Sequence, residues 1–251
     1  MTIQPPTSNA HLKVLAAGSL REVLTAVTQH FGQEAGQPVA LEFGASGILR
    51  QRIEQGEPAD VFVSADLAHP QRLANGGCWT APRTVVRNRL CALVRPGLVT
   101  TPRSLLDALL DPAVRVGTST PGFDPSGDYA WAMFERADAW RPGSGERLRA
   151  KALPLTGNPD SPRPPAGCGT YAWIMQEGQA DVFLTYYSNA LAARAEWPDL
   201  QVVALPEPLQ VGAAYGLTTR RDAGVAAQAF AKVLESPYAQ TQWARHGFDV
   251  A

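Results

Sequence analysis

Short runs of small and β-branched residues alternate along this chain with longer segments in which apolar positions return every three or four residues. The first pair sets the pattern: LKVLAAG, residues 12–18, predicts a strand, and SLREVLTAVTQHFGQEAG, residues 19–36, predicts a helix. Leu20, Val23, Leu24, Val27 and Phe31 share one face of that helix, and Gly36 stands where a left-handed residue would stop it. PVALEFGA (38–45) then predicts a strand, SGILRQRIEQGE (46–57) a helix opened by a serine, and ADVFVSAD (59–66) another strand. Strands are predicted again at 114–120, 180–188 and 200–206, and helices at 128–140, 170–179 and 224–247. Such alternation predicts an α/β fold.

One internal echo adds to this: GEPADVFVSAD at 56–66 and GQADVFLTYYSNA at 178–190 each carry a glycine followed by the strand ADVF. Two similar α/β units would place these strands equivalently in two lobes. The stretch 141–167, RPGSGERLRAKALPLTGNPDSPRPPAG, is rich in proline and glycine and is expected to be a long ordered loop.

Composition narrows the function. With 251 residues and 45% hydrophobic content the chain can bury one large core or two modest ones. Its 22 Lys and Arg against 23 Asp and Glu give no basic excess, which argues against nucleic acid and membrane-surface partners and for a small ligand. No apolar run reaches the ~18 residues of a membrane helix. The opening MTIQPPTSNAHLK has no apolar stretch of an export signal, and residues 1–9 are expected to form an extended or disordered tail. The three cysteines, Cys78, Cys91 and Cys168, show no zinc-ligand spacing and leave the redox compartment open.

Candidate chemistry lies at the strand-to-helix turns. Ser19 follows Gly18, Ser46 precedes Gly47, and Ser126 sits between Pro125 and Gly127 at a third helix start. The ordinary role of such a serine is to cap its own helix. The same N-termini also present free N–H groups and the positive end of a dipole to an anion. In an open parallel sheet these turns gather at the carboxyl edge, where ligands bind, so three of them would form a neutral, hydroxyl-rich cradle.

The order of VLAAGSL, FGASGIL, GEPADVFVSAD, DPSGDYA, EGQADVFLTYYSNA and PYAQTQWARHGF, over roughly residues 12–248, resembles the periplasmic molybdate/tungstate-binding proteins of ABC importers. The resemblance implies a two-lobed type II periplasmic-binding-protein fold, each lobe a mixed sheet flanked by helices, with the oxyanion in the cleft. It places lobe 1 at 10–89 and 211–251, lobe 2 at 90–210, and hinge strands near 88–92 and 207–212. Ser19 and Ser46 match two serines that donate hydroxyl and amide hydrogen bonds. Ser126 matches a backbone N–H donor and adds a hydroxyl, Cys168 matches a second backbone donor and adds a thiol, and Tyr186 matches a phenol that completes the shell; Tyr187 is expected only to pack. The metal would be held as its oxyanion with no direct side-chain ligand, without a cofactor, by a monomer that delivers it to a membrane permease. A periplasmic location is implied, with the cytosol as the alternative. Ser126, Cys168 and the proline-rich stretch depart from the family pattern, which leaves sulfate, phosphate or an organic acid as alternative ligands.

A catalytic reading is weaker. GASGI lacks the last glycine of a nucleophile elbow, and no phosphate-binding glycine motif occurs. His11, His30, His69 and His246 have no Ser, Cys or acidic pair beside them in sequence and read as surface or helix-end residues. Asp60, Asp66 and Asp181 read as strand-entry or capping residues, and Trp131 and Trp173 as packing residues with cleft lining as the alternative. An enzyme with a Ser/Tyr-lined cleft and a ligand-sensing domain of a regulator remain as readings of a different class.

Overall fold

The computed structural model describes residues 11–98 and 100–250; the expected tail at 1–9 lies outside them. β1 (Leu12–Ala17) leads through a 3-10 turn at Gly18–Leu20 into α1 (Arg21–Ala35), β2 (Val39–Gly44) into α2 (Ser46–Glu54), and β3 (Val61–Ser64) into α3 (Ala68–Asn75). The long strand β4 (Arg83–Val94) precedes α4 (Leu105–Leu110), β5 (Val116–Ser119), α5 (Pro125–Trp140), α6 (Ser144–Lys151) and β6 (Leu153–Thr156). Then come α7 (Thr170–Gln176), β7 (Val182–Tyr186), α8 (Tyr187–Glu196), β8 (Gln201–Ala204), β9 (Gly212–Thr219), α9 (Val225–Val233) and α10 (Pro237–Arg245).

The strands follow the order β2-β1-β3-β9-β4-β7-β5-β6, with β8 beside β4. β1 lies between parallel neighbours β2 and β3, and β5 between parallel neighbours β6 and β7. β9 and β4 join these two groups through antiparallel pairs. β4 spans both: Arg83–Arg89 pair with β9, Leu90–Val94 with β7, and Cys91–Val94 with β8 on the other side. The fold is therefore α/β, mixed-sheet and two-lobed, as expected.

Apolar side chains divide the same way. Leu24, Val63, Leu217, Phe230 and Trp243 belong to one core, with Leu15, Leu49 and Phe62 in a satellite under α2. Leu106, Met133, Phe134 and Leu184 form another, and Ile174 and Phe183 pack on the opposite face of that second sheet. Each fully buried Leu or Phe contributes about 1.5–3 kcal/mol of transfer free energy, so each half holds itself together and the space between them is left for a ligand.

The internal echo has a physical basis. In the first ADVF, the Asp60 carboxylate accepts from Lys13 N at 2.8 Å while Asp60 N donates to Lys13 O at 2.9 Å. In the second, Asp181 accepts from Arg115 N at 2.8 Å and donates to Arg115 O at 2.9 Å. Each aspartate thus ties the entry of a strand to the neighbouring parallel strand.

Gly36 ends α1 at φ 60° as its position predicts. The single helix predicted over 224–247 is two helices, because the Ser236 hydroxyl accepts from Ala239 N at 3.2 Å and Pro237 opens a new helix behind it. The expected loop at 141–167 contains α6 and β6. Gly143, at φ 81°, turns the chain after α5, and at Gly145 a Cβ would lie 2.4 Å from Phe134 O, so these glycines serve helix packing. Pro154 is tolerated because β6 is an edge strand. His69, expected to be a surface or helix-end residue, stands in the first turn of α3 and is buried. Trp131 and Trp173 pack on the second half's cores.

Candidate functional site

The carboxyl ends of β1, β2, β3 and β7 and the starts of α7 and α8 line one cavity of about 640 Å³. Ser19, Ser46, Tyr186 and Cys168 all border it, and so do Ser188, Asn189 and Asp124. Two long strands, expected only as short hinge segments near 88–92 and 207–212, explain much of this. β4 and β9 carry Asn88 and Tyr215 behind the cavity, and both strands join the two halves.

Ser19 does not cap α1; its Oγ is 2.9 Å from the Tyr215 hydroxyl. Asn88 Nδ2 donates to the same Tyr215 oxygen at 3.4 Å and to Ser188 Oγ at 2.9 Å. A polar chain therefore runs from Ser19 through Tyr215 and Asn88 to Ser188, from one half to the other. Ser46 is buried at the first position of α2 and does not cap it either. Its Oγ accepts from Ala65 N at 3.1 Å, which leaves the hydroxyl proton to donate elsewhere. Tyr186, 1% exposed, donates its phenol proton to Ala65 O at 3.3 Å. Burial pushes the phenols of Tyr186 and Tyr215 well above their ordinary range, so both are neutral at physiological pH. Tyr187 packs instead, with the Arg89 guanidinium 4.0 Å over its ring.

Two expectations are corrected. Ser126 is fully buried and does not border the cavity; its hydroxyl has no partner, and its N–H donates to Asp124 Oδ1 at 3.0 Å. The cause is the residue before Pro125: Asp124 takes the N-cap of α5 and uses the amide that would otherwise face an anion. Cys168 borders the cavity with an exposed thiol, but its N–H closes a turn onto Pro165 O at 3.1 Å.

A further correction concerns charge, since the expected shell was uncharged. Asp124 is a carboxylate in the cavity wall, packed on Gly157, where φ is 97° and a Cβ would fall 2.6 Å from Asp124 Cβ. Burial pushes the Asp124 carboxyl up to about 6; the Ser126 amide and the nearby Ser119 hydroxyl pull it down less than that, and the Asp128 carboxylate adds to the rise. Arg163, Glu196 and His246 also border the cavity. Among the described residues no group of His, Cys, Asp and Glu is arranged to hold a metal ion.

The halves touch at the rim. Gly47 N donates to Phe123 O at 2.9 Å, and a Cβ at Gly47 would lie 2.8 Å from the carbonyl oxygens of both Gly122 and Phe123. α2 of one half thus rests on the turn before α5 of the other.

This two-halved fold has known counterparts. Residues 12–249 match the family described as bacterial extracellular solute-binding protein. The chain belongs to that family. An uncharacterized protein of Pasteurella multocida is 37% identical over 207 residues, covering 82% of this chain and 86% of that protein. The molybdate-binding protein ModA of Escherichia coli is 26% identical over 248 residues, covering 95% of this chain and 89% of ModA. The periplasmic molybdate-binding protein of Azotobacter vinelandii superposes with a TM-score of 0.77 at 20% identity, over 96% of this chain and all of that one. Among the described residues of this solute-binding protein, no helix is long and apolar enough to cross a membrane.

The sequence missed Asp124, Ser188, Asn189, Asn88 and Tyr215. Ser188 and Asn189 had a signal: polar residues directly after an apolar strand, in the first turn of α8, which are buried in the structure. Tyr215 and Asn88 lie on strands with no clear alternation.

Proposed function

We propose that this protein is the receptor of an ABC importer: it binds a small oxyanion in the cavity, as a monomer outside the cytoplasm, and delivers it to a membrane permease. Molybdate and tungstate are the first candidates, through the likeness to ModA. The observation that carries the reading is the convergence of Ser19, Ser46 and the start of α8 on one cavity, three separate strand-to-helix turns with neutral donors. In this reading residues 10–89 with 211–251 and residues 90–210 are the lobes that close on the ligand, with β4 and the segment before β9 as the hinge.

A second reading keeps the site and enlarges the ligand. A tetrahedral oxyanion, counted as four oxygens of about 30 Å³ each on the scale of water, needs about 120 Å³. The cavity has about 640 Å³ and an arginine, Arg163, on its wall, which favours an organic acid or phosphorylated compound filled out by water. Thermal unfolding with molybdate, tungstate, sulfate, phosphate and small phosphate esters separates these readings. A ligand at a hundred times its Kd adds about 2.7 kcal/mol, hence a rise in Tm of about 5–10 °C. No shift with any member of the panel refutes both.

A further inference from the structure

Asp124 is out of place in a cradle for a bare dianion. A dianion with no proton offers only acceptors, and a carboxylate offers only acceptors as well. The usual remedy, an arginine or lysine paired with the carboxylate, is missing: no cation is among the groups that act on Asp124, and its one backbone hydrogen bond comes from Ser126 N. Both the carboxylate and the glycine that makes room for it, Gly157, border the cavity beside Thr156.

We propose that Asp124 selects the ligand by its protons: the cavity holds an oxyanion with one proton shared between it and the Asp124 carboxylate. A proton-bearing oxyanion of the hydrogenphosphate kind brings that proton at neutral pH. Molybdate and sulfate do not, and are held only when Asp124 carries the proton itself. This inference rests on the oxyanion reading above and names the member of the class that the site favours.

The groups around Asp124 support a proton as the link. Asp128 lies one turn along α5 and acts on Asp124, and the Asp124 carboxylate in turn helps to raise the phenols of Tyr171 on α7, Tyr186 on β7 and Tyr215 on β9. All three phenols are raised by burial and stay neutral. His246, whose Nε2 is 3.5 Å from Glu22, and Cys168 border the same cavity. Burial holds the Asp124 carboxyl at about 6, within reach of a pH titration.

Isothermal titration of wild type and Asp124→Asn with molybdate, sulfate and inorganic phosphate, at pH 6, 7 and 8 and constant ionic strength, tests this. Asparagine also caps helices, so α5 keeps its start, and Asp124→Ser is a second capping variant; an unchanged circular dichroism spectrum verifies both. In wild type, the Kd for molybdate and sulfate is expected to rise about tenfold per pH unit above 6, as the carboxyl loses its proton. The Kd for phosphate is expected to change less than threefold between pH 7 and 8. In Asp124→Asn, molybdate and sulfate binding should become independent of pH and at pH 8 exceed wild type by at least tenfold. Binding of the bare dianions that is flat with pH in wild type overturns the inference and leaves the oxyanion reading intact. A pH dependence that persists in both variants also overturns it, because the proton then belongs to a group other than Asp124. If neither wild type nor variants bind any of the three anions, the functional reading falls, and this one with it.

Discussion

Replacing Gly47 by alanine sets two opposing effects against each other, and the structure decides between them. Gly47 is the second residue of α2, where alanine is intrinsically better in a helix by up to about 1 kcal/mol. A Cβ there would lie 2.8 Å from two backbone carbonyl oxygens and 3.1 Å from Phe123 Cα, whereas ordinary contact starts near 3.4 Å. Those atoms are backbone, so no rotamer change relieves them, and the rim must part by about 0.6 Å, the difference between 3.4 and 2.8 Å. Parting strains or breaks the Gly47 N–Phe123 O bond, worth about 0.5–1.5 kcal/mol, and overpacking of this kind costs about 1–3 kcal/mol. The clash exists only where the halves meet, so the cost falls on the closed arrangement and the helix gain on both arrangements. Affinity for the tightest-binding oxyanion should therefore drop about five- to a hundredfold, while the unfolding midpoint without ligand holds or rises. Titration calorimetry reads the first, and small-angle scattering with the same ligand at saturation should show a larger radius of gyration for the variant than for wild type. A Kd within twofold of wild type together with an unchanged radius of gyration would refute the reasoning.

Ser19→Ala and Ser46→Ala should each weaken oxyanion binding about ten- to a hundredfold in calorimetry, since hydrogen bonds to a charged partner contribute about 1.5–3 kcal/mol; unchanged affinity in both removes them from the site. Asp181, buried and held by Arg115 and Arg95, has its carboxyl lowered to about 2 from an ordinary 3.8. A depressed carboxyl stabilises above its unfolded value and loses that contribution as pH falls from about 4 through 2; the full shift corresponds to about 2.4 kcal/mol, reduced to about 1–2 because both guanidiniums are half exposed. Urea unfolding of Asp181→Asn should show that loss at pH 7 and little at pH 2, and an equal loss at both contradicts the ion-pair account. Cys78 and Cys168 are exposed, while Cys91 is buried with its thiol pushed up to about 12, so a maleimide should label two sites in the folded protein. Bound ligand should slow labelling at Cys168 alone, read by mass spectrometry of the peptides, and equal protection at Cys78 argues against Cys168 bordering the site.

The alternation of apolar runs was enough to determine the α/β class, because burying one face of a helix or both faces of a parallel strand is a local demand that each segment writes into its own period. The ADVF echo carried two-lobedness for the same reason: Asp60 accepts from Lys13 N and Asp181 from Arg115 N, each at the entry of the neighbouring parallel strand, so the same four residues recur. That Ser19 and Ser46 border the cavity was legible because a strand-to-helix turn fixes where its residues emerge, whereas Tyr186 was expected only through the family resemblance. Which groups of the cavity remain free to bind was decided by tertiary structure. Ser126 N is spent on Asp124 and Cys168 N on Pro165, and Ser19 meets Tyr215 from a strand 196 positions away. A hydrogen bond satisfied inside the protein is no longer offered to a ligand, and no periodicity along the chain records which donors the packed halves have already used.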